Sequence, residues 1–239
     1  MQTFLINLDK DKDRLIAADA QLKRLCIAYE RFPAVYAKEM PKEERDSKVN
    51  YFRFRCCTGR DIWLGEIGCC LSHYSLYQRM IDENIPYACI LEDDIVLTEN
   101  FKSTVKRVEL FLEHSLPQVF LLSNYTNEVV DGEEIREVNN GYCTDAYIIT
   151  QPAAKALLKE NLPICVPCDH WARWVRHKAI KLYVVLPSVC TQNNTDFVTS
   201  IPSNGEKKVS DMSLLEKIGF KARRVLGSSF DYILYKLHK

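Results

Sequence analysis

Apolar positions along this chain arrive alternately as short unbroken runs and as helically spaced stripes, the pattern of strands alternating with helices. Residues 3–8 predict a first strand. A charged turn at 9–14 leads into a helix whose apolar face is Leu15, Ala18, Leu22 and Leu25. Residues 32–36 read as a short second strand, and a charged stretch without clear period follows to about residue 58. From Leu64 onward, Ile67, Cys70, Leu71, Tyr74, Tyr77 and Ile81 share one helical face, while Glu66, Cys69 and His73 share another. Residues 87–91 are five apolar residues in succession, closed by Glu92, Asp93 and Asp94. Such a run predicts a strand buried on both faces that delivers its acids at the carboxyl end of a sheet, where open α/β sheets bind ligands. Further on, 101–112 predicts a helix, 117–123 a buried strand, and 125–142 a hairpin or loop with Asp131-Gly132 and Asn140-Gly141 turns. Residues 143–149 predict a strand, 152–158 a helix with proline at its start, 167–171 the opening of a helix, and 181–186 a last core strand before polar 190–194.

Composition narrows the class without naming a partner. The 239 residues are 47% hydrophobic, enough for one domain with an appendage, and 32 basic residues balance 32 acidic ones. The distribution is uneven: from Lys207 onward eight Lys/Arg face three Asp/Glu, a net of +5, which leaves −5 over residues 1–206. We therefore divide the chain into a domain at 1–206 and a basic amphipathic tail at 207–239. Leu215, Ile218, Ala222 and Val225 form one helical pattern in that tail, and Phe230, Ile233, Leu234 and Leu237 a second. The tail reads either as an interfacial segment for anionic inner-membrane lipid or as helices packed on the domain. No apolar run approaches the roughly 20 residues of a transmembrane span, and no signal peptide is visible. The expected location is cytoplasmic, peripheral on the inner face of the inner membrane, with no nucleic-acid partner. Ten cysteines are then expected to stay reduced, with Cys69, Cys70 and Cys89 as small core residues. Cys165-x-x-Cys168 has zinc or redox spacing but lacks the second pair a structural zinc wants.

The chain's first glycine is Gly59, so the opening strand-to-helix turn contains none. That excludes a dinucleotide fingerprint or P-loop there, since both need glycine for close approach to phosphate. A nucleotide must be held by side chains, ordinary amides and a metal. The acidic triplet reads either as a solvated turn or as the grip on a hard cation, Mn²⁺ or Mg²⁺, bridging a substrate diphosphate. Extended geometry past Leu91 would put Glu92 and Asp94 on one face and Asp93 on the other. His73 reads either as a hydrogen-bonded helix-face histidine or as part of that site.

Asn7-Leu8 with Arg14, Gly65-Glu66-Ile67-Gly68-Cys69 with Ser72-His73, Leu91-Glu92-Asp93-Asp94, 146–149, Asp169 and Gln192 stand in order along the chain. Together they resemble glycosyltransferase family 25, the bacterial lipooligosaccharide β-galactosyltransferases and collagen galactosyltransferases, over about residues 3–195. The resemblance implies a GT-A-like fold, a Rossmann-like mixed sheet flanked by helices, with a UDP-sugar donor. It also implies a divalent metal at the acidic stretch and inversion at the anomeric carbon. The acceptor would be a lipooligosaccharide or LPS-core glycan. Residues 34–37, where such relatives carry an acidic residue and glycine, and the cysteine-rich 165–168 are departures from the pattern.

On that reading Glu92 and Asp94 hold the metal, and Asn7, Leu8, Arg14, Glu66, Ser72, His73, Asp93 and Gln192 form the nucleotide-sugar pocket. Asp169 is the first candidate for the base that deprotonates the acceptor hydroxyl, with Asp145 in reserve. A helix N-cap is the competing use of Asp169. Two other functions fit the same residues: a metal-dependent phosphohydrolase with Asp93 or Asp94 as nucleophile, and a scaffold that binds glycans without catalysis.

Overall fold

The computed structural model describes residues 1–128, 132, 134–193 and 212–226. Its elements run β1 (Gln2–Asn7), α1 (Lys12–Arg24), β2 (Glu30–Pro33), α2 (Lys42–Ser47), α3 (Tyr51–Thr58), α4 (Leu64–Asp82), β3 (Tyr87–Glu92), β4 (Ile95–Leu97) and α5 (Phe101–Phe111). There follow β5 (Gln118–Leu121), β6 (Ile135–Val138), β7 (Ala146–Thr150), α6 (Gln151–Asn161), α7 (Trp171–Arg176), β8 (Lys181–Val185), β9 (Cys190–Gln192) and α8 (Leu214–Leu226).

Seven strands form one mixed sheet in the order β2-β1-β3-β7-β5-β8-β6, and β4 pairs with β9 in a two-stranded ribbon. β2, β1 and β3 are mutually parallel, β7 runs antiparallel between β3 and β5, and β8 returns parallel to β5. Alternate residues of each central strand enter opposite cores. Phe4, Ile90, Leu121 and Tyr147 pack with Ile67, Tyr77, Leu157 and Trp171 on one face. Leu5, Leu91, Phe120 and Ile148 pack with Leu22, Phe101 and Val108 on the other. Each such side chain stabilises the fold by about 1.5–3 kcal/mol relative to exposure, which is why β3 needs an unbroken apolar run.

Three stretches differ from expectation. The charged segment before residue 58 forms α2 and α3; burial of Phe54, Cys56 and Cys57 supplies the α3 helix with the stabilisation its sequence period does not advertise. The 125–142 region gives β6, which pairs antiparallel with β8 at the sheet edge instead of closing a hairpin on itself. Polar 190–192 is a strand, because its backbone groups find β4.

The first helical pattern of the tail is α8, and it docks on α3. Arg55 Nη1 lies 3.0 Å from Glu216 Oε1, and the Phe220 ring occupies the space beside Gly59, 2.6 Å from where a Cβ would stand. Leu214, Leu215, Ile218 and Val225 remain exposed, Val225 by 84%. The second tail pattern and the 206/207 boundary lie outside the described residues. No helix among the described residues is long and apolar enough to cross a membrane.

Candidate active site

β1 and β3 are adjacent and parallel, so their carboxyl ends bring Asn7 beside the acidic triplet although 86 residues separate Asn7 from Asp93. Asn7 Nδ2 donates to Asp93 Oδ2 at 2.7 Å, and Arg14 Nη1 reaches Asp93 Oδ1 at 3.1 Å and Asp94 Oδ2 at 3.6 Å. Arg31, on β2, donates through Nε to Asn7 Oδ1 at 2.9 Å and so fixes which way the Asn7 amide faces. Sequence reasoning missed Arg31; its one signal was a cation in the middle of a short strand next to β1.

The strand ends at Glu92, and Asp93 and Asp94 occupy the turn that follows, so alternation does not carry Glu92 and Asp94 onto one face. That corrects the alternation argument for the pair, although Glu92 and Asp94 both line the same cleft. Glu92 Oε1 instead accepts from Thr144 Oγ1 at 2.5 Å and stands 3.2 Å from His73 Nε2, while His73 Nδ1 meets the Tyr147 hydroxyl at 2.7 Å. Burial opposes the charge on Glu92, but the bonds from His73 and Thr144 prevail and hold its pKa below the usual range. Burial alone would lower the His73 pKa; contacts with Cys69 and Glu92 raise it to about 9. His73 is thus both a hydrogen-bonded helix-face residue and part of the site.

Asp94 is different. Its Oδ1 is buried and has no hydrogen-bond partner. Burial, then the charges of Glu92, Asp93 and Asp145, push its pKa up to about 7 against the pull of Arg14. A buried carboxylate oxygen with nothing to accept, at a cluster of negative charge, fits a hard divalent cation. Asp94 is the residue that would hold it.

These groups line a cleft enclosing about 970 Å³, mouth included. Leu8, Lys10, Ser72, Gly65 and Gly68 are in its wall, with 34–38 opposite. Gly68 is required there: a Cβ would stand 2.6 Å from the Val35 carbonyl oxygen. Ser72 binds the same loop, its Oγ accepting from Val35 N at 2.8 Å and donating to Gly68 O at 2.6 Å. The Ser72 hydroxyl thus shapes the wall of the cleft in which the sequence placed it.

A second cavity adjoins the first, lined by Glu66, Cys143, Thr144, Cys168 and Asp169, and Cys69, Glu92 and Gln192 line both. Glu66 belongs to this second cavity, not to the nucleotide pocket expected for it. Its carboxylate accepts from Trp63 N at 2.9 Å, at the start of α4, and from both terminal guanidinium nitrogens of Arg60. Asp169 does not cap α7: His170 holds that position, and Asp169 Oδ2 accepts from Cys143 N at 3.4 Å. Burial raises the Asp169 pKa, which makes it a stronger proton acceptor. Asp145 is 1% exposed, lines neither cavity and accepts from Ser123 Oγ at 2.7 Å; burial lifts its pKa to about 6. The reserve candidate Asp145 is thus less accessible than Asp169, which lines the second cavity.

The cysteines are all free. Cys165 turns to Asn161 Oδ1 at 3.3 Å, and Cys168 meets Cys69 at 3.4 Å, so the Cys-x-x-Cys spacing does not describe a pair. Cys69, expected in the core, is only half-buried and stands at the junction of the two cavities.

The family profile of glycosyltransferase family 25 (LPS biosynthesis protein) matches residues 1–172, which include Asn7, the α4 block, the acidic triplet and Asp169. The chain belongs to glycosyltransferase family 25. A glycosyltransferase 25 family member of Drosophila pseudoobscura pseudoobscura is 28% identical over 185 residues, 70% of this chain and 29% of that protein. Procollagen galactosyltransferase 1-A of Xenopus laevis is 30% identical over 193 residues, 71% of this chain and 30% of that protein. The chain thus spans about 30% of the length of the curated relatives it matches. Among solved structures, a glycosyltransferase involved in glycosylation of the major capsid of PBCV-1 matches at a TM-score of 0.32 and 10% identity, covering 64% of this chain and 61% of that one. That likeness is too slight to carry an argument; the mixed α/β sheet flanked by helices stands on the topology above.

Proposed function

We propose that this family 25 domain is an inverting, metal-assisted hexosyltransferase that moves galactose from UDP-galactose to a sugar hydroxyl of a lipooligosaccharide core. The observation that carries the reading is the junction of two cavities. One holds a buried carboxylate oxygen without a partner at Asp94, the other holds Asp169, and Glu92 lies between them. A donor and an acceptor can each occupy one cavity and meet at that boundary.

The UDP moiety would enter the first cleft against Asn7, Leu8 and Lys10, with Arg14 supporting the acids that face the diphosphate. Mn²⁺ or Mg²⁺ held by Asp94 would offset the charge that accumulates on the departing diphosphate. Asp169 takes the proton from the acceptor hydroxyl as its oxygen bonds the anomeric carbon on the face opposite the breaking bond to UDP. Glu92 is kept anionic by His73 and Thr144 beside the anomeric centre, where positive charge develops. Gln192, in the walls of both cavities, is placed to contact the sugar at the junction.

Galactose is favoured by the kinship with the Xenopus procollagen galactosyltransferase, and a lipopolysaccharide-type acceptor by the family's association with LPS biosynthesis. The acceptor is lipid-linked on this reading, and exposed Leu214, Leu215, Ile218 and Val225 on α8, flanked by Lys217, Lys221 and Arg224, would rest on anionic lipid at the cytoplasmic face of the inner membrane. A screen of UDP-sugars with Mn²⁺ tests the function by UDP release, run with a lipooligosaccharide core and with a collagen peptide as acceptors. The expected result is release from UDP-galactose that depends on the lipooligosaccharide. Phosphate release without any acceptor would favour a phosphohydrolase, and UDP binding without turnover a glycan-binding scaffold.

A further inference from the structure

At the junction of the two cavities lies a group of side chains that includes two thiols the proposed sugar transfer does not use. Cys69 and His73 sit one helical turn apart on α4, and Cys168 approaches them from the loop before α7. Their donor atoms all lie within 4.8 Å of one another, the one such group of three or more metal-ligating side chains among the described residues. We propose that Cys69, His73 and Cys168 form a binding site for a thiophilic divalent cation of the zinc class, distinct from the hard-cation site at Asp94.

The geometry separates this from two alternatives. Zinc bonds thiolate sulfur at about 2.3 Å, so two thiolates on a tetrahedral ion stand about 3.8 Å apart. Cys69 Sγ and Cys168 Sγ are 3.4 Å apart and need to separate by only a few tenths of an ångström. A disulfide would require closure to about 2.05 Å, a much larger shift across two different elements. The third donor is already oriented: the Tyr147 hydroxyl holds His73 Nδ1, as outer partners of metal-bound histidines do, which leaves Nε2 for the ion. On binding, both thiols and His73 Nε2 release their protons to solvent, the ring stays a neutral imidazole through Nδ1 on the Tyr147 hydroxyl, and Nε2 exchanges its bond to Glu92 for one to the metal. The fourth position faces the cavity where Glu92 and Thr144 lie and is open to water or to either carboxylate or hydroxyl. Softness divides the two sites: thiolate and imidazole select zinc, whereas Asp94 offers only the oxygen that Mn²⁺ or Mg²⁺ prefers. The pairing also explains why Cys165, despite its spacing, takes no part: Asn161 holds it elsewhere.

Cobalt(II) is the probe, added to the full-length, fully reduced chain. One equivalent is expected to give a sulfur-to-cobalt charge-transfer band and tetrahedral visible bands, both bleached by zinc. Cobalt on carboxylates alone gives neither thiolate band, so the Asp94 site does not interfere. Cys69→Ser and Cys168→Ser are expected to lose the band and to weaken zinc binding by about 100-fold or more, at the upper end of what even outer-shell losses cost. Cys26→Ser and Cys165→Ser are expected to keep it. Thermal melts of each variant establish that it is folded before its spectrum is read. Absence of the band in the reduced wild-type chain overturns the site without recourse to any variant, and its loss in Cys165→Ser overturns this ligand set. Neither readout depends on sugar transfer, so the two proposals fail separately.

Discussion

On the proposed mechanism Asp94 and Asp169 carry the chemistry, and each makes a prediction of its own. Asp94→Asn is expected to leave the melting curve of the free protein near wild type or higher, because it removes a charge that the fold disfavours. Transfer with Mn²⁺ should fall by about 100-fold or more, the scale of losing a charge-stabilising group; turnover at the wild-type rate would remove Asp94 from the metal. The sign with pH follows from the raised pKa of about 7. Between roughly pH 4, the unfolded value, and pH 7 the native state binds the extra proton, so the metal-free protein loses this contribution to stability as pH rises through that window. Added Mn²⁺ competes with the proton, and its stabilisation should grow over the same range and level off above it. Melting curves from pH 5 to 8 with and without Mn²⁺ measure both slopes, and Asp94→Asn should flatten them. For Asp169→Asn, kcat should drop by about 10²–10⁴-fold with KM for the donor little changed; a change in KM alone would make it a structural residue. Sequence patterns marked these residues but not their surroundings, since the partners that an acid finds stand 19 to 86 positions away.

At the scale of elements, the first cleft exists because α4 and the loop after β2 touch. Gly68→Ala pushes a methyl into the Val35 carbonyl, with Ser72 resisting any shift of that loop. The expected cost is about 1–3 kcal/mol, or about 2–4 °C in Tm per kcal/mol for a chain of this size, with a rise in donor KM larger than the fall in kcat. An unchanged melt and unchanged KM would show that the contact does not shape the cleft. The amino end of α4 depends on Glu66, and Glu66→Ala should cost about 0.5–2 kcal/mol through loss of the start of the helix, without the kcat loss expected of a catalytic group. Strands with apolar runs and helices with clear periods were legible in the chain. The two short helices before residue 58 were not, because a helix of six or eight residues is held by what it packs on and needs no periodic stripe of its own.

For the whole molecule, UDP with Mn²⁺ should raise Tm, by an amount that grows with ligand concentration, and neither should do so alone to the same extent. Deletion of residues 207–239 should abolish co-sedimentation with vesicles containing anionic lipid and spare the sheet; equal binding by both forms would discard the membrane contact. Because α8 is tied to α3 through Arg55–Glu216 and Phe220, the truncation should also lower Tm modestly. By itself the sequence determined the alternation of strand and helix, the placing of an acidic triplet at the end of a buried strand, and the block on α4. All of these follow from local hydrophobic period and local charge, which neighbouring residues suffice to set. Tertiary structure alone decided that Glu92 serves His73 while Asp94 Oδ1 is left without a hydrogen bond, that Cys168 meets Cys69 in place of Cys165, and that Asp145 lines neither cavity. Those outcomes turn on strand order and on crossings between distant segments. A hydrogen bond or a thiol contact is settled by a few ångströms in space, which residue spacing along the chain does not encode.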